Sequence, residues 1–184
     1  PVVQQDNFAG LLFGDESIYD IAVDGANRKW IATNNGAWLI SADGQKVISH
    51  FTESNSPLLS NKIHQIVVHE KTGEVFFFTQ NGICSFRGTA TAPVSQKQKP
   101  LVFPNPVPPN FNGIIAIKNL PENAWIKITE LDGKLVYQTR SLGGQAIWNG
   151  QTYKGEKPSS NVYLVFISDE TNTMQLSTKI FFIK

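Results

Sequence analysis

Lys29-Trp30-Ile31-Ala32-Thr33-Asn34-Asn35-Gly36, preceded by Ile18-Tyr19-Asp20-Ile21-Ala22-Val23-Asp24, is one half of an internal repeat. The other half runs Ile63-His64-Gln65-Ile66-Val67-Val68-His69, then Glu74-Val75-Phe76-Phe77-Phe78-Thr79-Gln80-Asn81-Gly82. Ile18 and Ile63 stand 45 positions apart, and Thr33 and Thr79 stand 46 apart. A period of that length, made of short apolar runs and Asn/Gly turns, predicts β-propeller blades. One blade cannot bury both of its faces, so blades come with neighbours.

Four strands are expected in the first repeat, near 17–23, 29–33, 37–41 and 46–51. Asp24-Gly25, Asn35-Gly36 and Asp43-Gly44 supply tight hairpin turns between them. The second repeat predicts strands near 63–69, 74–79 and 83–87 and then stops short of a fourth. Residues 88–100 instead have the small, polar and Pro-containing composition of a linker. A blade without its outer strand leaves an open edge. The expectation is that the completing strand lies far upstream, and that these 184 residues are the tail of a longer protein. In isolation the edge would pair with a second copy or borrow residues 2–13.

From Leu101 the pattern changes. Strands are expected near 113–118, 124–131, 134–139, 145–149, 162–167 and 178–183, with Asp132-Gly133 as a hairpin turn. No helix-period segment longer than two turns occurs. Many short strands in a stretch of this length predict a β-sandwich of immunoglobulin-like kind. The fold class is therefore all-β: a partial propeller of about two blades over 1–87, a linker over 88–100 and a sandwich over 101–184. The final run Ile180-Phe181-Phe182-Ile183 is nearly continuous, which predicts cover on both faces, or pairing with a partner where one face is left open.

Composition narrows the function. Sixteen basic and fifteen acidic residues leave a formal charge of +1, which gives no long-range attraction to nucleic acid. No 18-residue apolar run exists, so no transmembrane segment is expected in this chain. The first residues do not form a signal peptide, so any such signal is expected upstream or already removed. The single cysteine, Cys84, cannot form an internal disulfide and is expected as a small buried hydrophobe. Catalytic motifs are missing: there is no Gly-x-Ser-x-Gly, no phosphate-binding Gly-x-x-x-x-Gly-Lys and no His-Glu-x-x-His. His64 and His69 leave opposite faces of one strand and cannot share a metal. Asp15-Glu16 and Asp169-Glu170 are solvated turn pairs. No enzyme activity, cofactor or metal is expected. Trp38, Trp125 and Trp148 could stack on sugars, although core packing is the commoner use of such residues.

The pattern Ile18-x-x-Ile21-x-x-Asp24, then Lys29-Trp30-Ile31-Ala32-Thr33-x-x-Gly36, resembles the blades of two-component regulator propellers. The second repeat departs from it at Val75-Phe76 and at His69. The C-terminal part resembles the sorting domain of type IX secretion substrates. The matching residues are Val102-Phe103-Pro104-Asn105-Pro106-Val107, then Ile128 to Val136 with Asp132, Gly133 and Lys134, Trp148-Asn149-Gly150, Asn161-Val162-Tyr163-Leu164-Val165, and Lys179. The family usually carries Gly where Asn161 stands, and Asn can replace it at positive φ. Pro104, Asn105, Pro106, Asp132, Gly133, Lys134, Asn161, Tyr163 and Lys179 are the candidate sorting-motif residues.

The two resemblances together imply a non-catalytic component of the type IX secretion and attachment complex. It would be exported through the periplasm and held at the bacterial outer-membrane surface. Its implied partners are other proteins of that complex, with lipopolysaccharide as an implied ligand. The alternative is a secreted propeller cargo with a cleavable sorting domain, binding or acting on polysaccharide. A regulator's sensor region is disfavoured, because no membrane helix and no kinase follow the blades.

Overall fold

The computed structural model describes residues 2–5, 8–11, 13–94, 98–168 and 173–183, with the backbone alone for 2–5 and 8–11. The Asp169-Glu170 pair and the loop around it lie outside the described residues. Every described element is a strand, and all strands pair antiparallel. The chain divides into two compact units, Pro1–Thr91 and Ala92–Lys184.

In the first unit, β1 (Val2–Gln5) and β2 (Phe8–Leu11) pair with each other. The N-terminal stretch therefore forms its own hairpin and does not complete the second repeat. β3 (Ile18–Val23), β4 (Lys29–Thr33), β5 (Gly36–Ile40) and β6 (Val47–Phe51) form a four-stranded meander. β7 (Ile63–His69), β8 (Glu74–Thr79) and β9 (Gly82–Arg87) form a three-stranded one. The apolar core is shared by these two sheets: Trp30, Ala32, Ala37 and Leu39 come from the first, and Ile63, Ile66, Val75 and Phe77 from the second. Trp30 is fully buried against the rings of Phe51, Phe77 and Phe86. A side chain of that size withdraws more apolar area than any other in the unit, and its loss would cost about 3–5 kcal/mol.

Polar groups repeat with the strands. Thr33 Oγ1 donates to Gly36 O at 2.9 Å and accepts from Asn35 N at 3.0 Å. Thr79 Oγ1 does the same with Gly82 O at 2.8 Å and Asn81 N at 3.2 Å. This is the physical content of the Thr-x-x-Gly spacing: a buried hydroxyl closes each β-hairpin. Gly36 has a φ of +112°, and a Cβ there would collide with the Phe51 carbonyl on β6.

Asp24 organises the first repeat in a second way. Its Oδ1 accepts from the backbone of Ala26 and Arg28, and its Oδ2 accepts from Arg28 Nε and Trp30 Nε1. Arg28 completes an ion pair at 2.7 Å and donates to Thr89 Oγ1. His69, at the equivalent place in the second repeat, bonds only locally to Thr72. Between the sheets, Ile66 N donates to Asp20 Oδ2 at 2.9 Å. On the surface, Ser41 and the Gln45 backbone hold the Asp43 carboxyl below its usual range.

Residues 88–91 belong to this unit. Gly88 N donates to Gly73 O, and Ala90 and Thr91 are buried. Val94, in the other unit, donates to Leu120 O.

In the second unit, β10 (Leu101–Phe103), β11 (Ile115–Lys118) and β14 (Gln145–Trp148) form one sheet in the order β10-β11-β14. β12 (Trp125–Thr129), β13 (Leu135–Arg140), β15 (Val162–Ser168) and β16 (Met174–Phe181) form the other in the order β13-β12-β15-β16. Both sheets feed one core, led by Ile115, Ile117, Ile126, Ile128, Trp148, Tyr163 and Ile180, in keeping with a sandwich.

For the last strand one face is left open, the second of the two expected outcomes, and the expectations for Cys84 and Asn161 are corrected. Ile180 is fully buried, but Phe181 and Ile183 are 43% and 50% exposed. β16 is an edge strand with one face inward, so the apolar run alternates after all. Cys84 is half-buried and packs beside the core, because β9 is likewise an edge strand. Asn161 is absent from the positive-φ residues, which among the described non-glycines are Asn27, Asn110, Asn119 and Asn123.

Replacing Thr33 by Val keeps the shape and removes the hydroxyl, stranding the Asn35 N–H and Gly36 C=O. Thr33→Val should lower the stability of the first unit by about 1–3 kcal/mol. Amide exchange along β4 and β5 measures it, and a change below about 0.5 kcal/mol would refute the role given to this hydroxyl.

Candidate functional site

The candidate sorting-motif residues sit at one end of the four-stranded sheet of the second unit. Thr129 at the end of β12 pairs with Leu164, and Leu164 pairs with Lys179. The β12–β13 turn, the start of β15 and the end of β16 are therefore level with one another.

At that turn Gly133 adopts a φ of +89°, and Lys134 N donates to Asp132 Oδ1 at 3.0 Å. Glu130 N donates to Lys134 O, and Gly133 N to Glu130 O. Asp132, Gly133 and Lys134 are thus explained locally, as an Asx-type turn that reverses the chain.

Asn105 acts over a longer range. Its Nδ2 donates to Lys179 O at 2.9 Å, and its Oδ1 accepts from Phe181 N at 3.0 Å. One carboxamide thereby offers β16 the donor and acceptor that a neighbouring peptide unit would offer. Pro104 and Pro106 flank it, and both of their preceding peptide bonds are cis. Proline has no N–H, so neither residue can donate to β16, and the side chain between them takes that part. Val107 then resumes main-chain pairing: Val107 N donates to Phe181 O, and Ile183 N donates to Val107 O. Residues 105–107 form a short parallel cover over the last part of β16.

Asn161 and Tyr163 hold the other side of β16. Asn161 O accepts from Phe182 N, and its Oδ1 accepts from Val162 N at 2.8 Å. The side chain caps the start of β15, which is a use of Asn that needs no positive φ. Tyr163 is buried, donates to Ser159 O at 2.9 Å and packs edge-on against Phe182. Lys179 contributes its backbone carbonyl to Asn105 and leaves its side chain exposed. Pro104, Asn105, Pro106, Asn161, Tyr163 and Lys179 are therefore brought together. Asp132, Gly133 and Lys134 share the same end of the sheet without touching them by any described hydrogen bond.

Sequence reasoning missed Val107 and Phe182 as participants. The signal was present in Val107, an apolar residue straight after the Pro-Asn-Pro stretch. A shallow hollow of about 90 Å³ opens beside them, lined by Pro108, Phe111, Ile115, Lys157 and Ile183 among others. The same end exposes Leu131, Tyr153, Phe181 and Ile183.

Among the described residues, no three His, Cys, Asp or Glu side chains group in a way that could hold a metal. His50 stacks on Trp38 at 3.6 Å, and His64 lies edge-on to Tyr19. The indoles are engaged as well. Trp148 is buried and donates to Gln151 O, and the Arg140 guanidinium lies 4.1 Å over Trp125.

No protein-family model matches the chain, and no curated protein does. Among solved structures, the chain is similar over 100% of its length to PorZ of Porphyromonas gingivalis, at 30% identity and a TM-score of 0.65. PorZ is an essential bacterial surface component of the type IX secretion system. The chain spans 25% of the length of PorZ. The extracellular domain of a hybrid two-component system of B. thetaiotaomicron aligns with 96% of the chain and 27% of its own, at 12% identity and a TM-score of 0.34. Dimeric latent PorU of Porphyromonas gingivalis aligns with 92% of the chain and 20% of its own, at 14% identity and a TM-score of 0.36.

Asn105→Ala removes both bonds to β16 and leaves water to replace them. The second unit should lose about 1–2 kcal/mol, and Asn105→Asp should lose at least as much, because a carboxylate cannot donate to Lys179 O. Urea unfolding of the two variants checks this, and an Asn105→Ala protein as stable as the parent would refute the clamp.

Proposed function

We propose that the chain is part of a surface component of a type IX secretion system, acting by binding partner proteins rather than by catalysis. In this reading residues 1–91 are propeller blades and residues 92–184 are a sorting-type domain retained in the mature protein. The observation that carries it is the similarity to PorZ along the whole chain, at 30% identity and a TM-score of 0.65. The convergence of Asn105, Asn161, Tyr163 and Lys179 on β16 supports it, since separate segments of sequence build one surface there. That surface is the site proposed for contact with other proteins of the secretion and attachment complex. Lipopolysaccharide is the ligand proposed for the assembled complex, at the outer face of the outer membrane.

The test is made in cells that produce the full-length protein. Antibodies to the second unit should label intact cells, and the labelled protein should still contain residues 98–168. Deleting its gene should leave secreted cargo unprocessed in the periplasm. Recovery of the protein from the medium without its second unit, with cargo processing normal in the deletion strain, would contradict the proposal and mark the chain as cargo.

A further inference from the structure

The dipeptide Asn-Gly occurs at Asn35-Gly36, Asn81-Gly82, Asn112-Gly113 and Asn149-Gly150. It is chemically reactive, because glycine has no side chain to keep its backbone nitrogen away from the neighbouring carboxamide carbon. Reaction needs a carboxamide and a glycine N–H that are not held elsewhere. Three of the pairs fail that condition. Gly36 N donates to Asn61 O at 2.8 Å, and Asn35 Nδ2 donates to Glu16 Oε1. Asn81 Nδ2 donates to Leu59 O at 3.0 Å, and Gly82 lies in β9 opposite Thr79. Asn149 closes its own turn: Oδ1 accepts from Gln151 N and Nδ2 donates to Gln151 Oε1, both at 3.1 Å.

Asn112-Gly113 is different. Both residues are exposed in the loop before β11, and Gly113 N makes no described hydrogen bond. The Asn112 carboxamide has one described partner: Lys157 Nζ donates to Oδ1 at 2.6 Å. That bond falls on the oxygen where negative charge develops when the carboxamide carbon is attacked, and it strengthens as the charge grows. Glycine is required at 113 for a separate reason, since a Cβ there would stand 2.6 Å from the Phe111 ring. Packing thus keeps the reactive dipeptide beside a cation.

We propose that Asn112 is a site of spontaneous deamidation, promoted by Lys157. Hydroxide removes the Gly113 N–H proton, and the nitrogen attacks Asn112 Cγ. The Cγ–Nδ2 bond breaks, ammonia leaves with a proton supplied by water, and a cyclic imide remains. Water opens the imide at either carbonyl, giving aspartate or isoaspartate. The net change is water taken up and ammonia released, with no change of oxidation state. Either product sets a carboxylate opposite Lys157 and so exchanges a charge–dipole bond for an ion pair. Isoaspartate also adds one carbon to the backbone between Phe111 and Ile115. Phe111, Ile115 and Lys157 line the hollow beside Val107 and Phe182, so the reaction alters that hollow as the protein ages. The site does not depend on the secretion reading.

The test incubates the intact chain in mildly alkaline buffer. Each Asn-Gly pair is followed by peptide mass and by methyl transfer from an isoaspartyl methyltransferase. The other three pairs must first break a hydrogen bond, so Asn112 should convert at least about tenfold faster than any of them. An exposed charged contact changes a barrier modestly, so Lys157→Met should slow conversion about two- to fivefold, with Lys157→Arg close to the parent. If Lys157 merely held the loop still, Lys157→Met would speed the reaction instead. Conversion in Lys157→Met at or above the parental rate, or faster reaction at any other Asn-Gly pair, would overturn the proposal.

Discussion

A sheet edge in water must be paired, covered or charged, and that constraint organises this molecule. The fold is a set of antiparallel sheets, and each sheet ends in edge strands. In the first unit β6 and β9 are edge strands of their sheets, and neither has an outer partner among the described residues. In the second unit β16 is one edge of its sheet, and it is sealed over its last residues by Asn105 and Val107. The seal uses one side-chain amide where proline excludes the backbone.

The first unit holds together because its sheets share a core, not because either is stable alone. Trp30 reaches across to Phe77 and Phe86, and Asp20 accepts from the Ile66 backbone. Each repeat contributes the face that the other needs, as expected of quasi-one-dimensional assemblies. The outward faces retain apolar residues such as Ile21, Val67 and Ile83, each more than 40% exposed.

Most strands were legible in the sequence because turns and apolar alternation agree there. Asn35-Gly36, Asp43-Gly44 and Asp132-Gly133 each fixed a hairpin, and the Thr-x-x-Gly spacing revealed the repeat. The pairing of β1 with β2 was not legible, because Val2–Leu11 carries no strong turn signal. β10 was missed because three residues are too few to show a period. The run Ile180–Ile183 left two outcomes open, because an edge strand can expose large apolar side chains on its outer face. Asn161 misled: the role expected from glycine was backbone freedom, whereas its carboxamide caps a strand. Asn105 was recognisable as part of a motif, but its bonds to Lys179 and Phe181 join residues more than 70 positions apart, which no local pattern encodes.

Native-state amide exchange on the 184-residue chain tests the edge account most directly. Sealing predicts that the Phe181 and Ile183 amides exchange as slowly as the interior strand β15, since both donate to residues 105–107. It also predicts that the open edge leaves amides in Gly82–Arg87 exchanging much faster than any in β8. If Phe181 and Ile183 exchange as freely as a bare edge, or if β9 is as protected as β8, the account is contradicted.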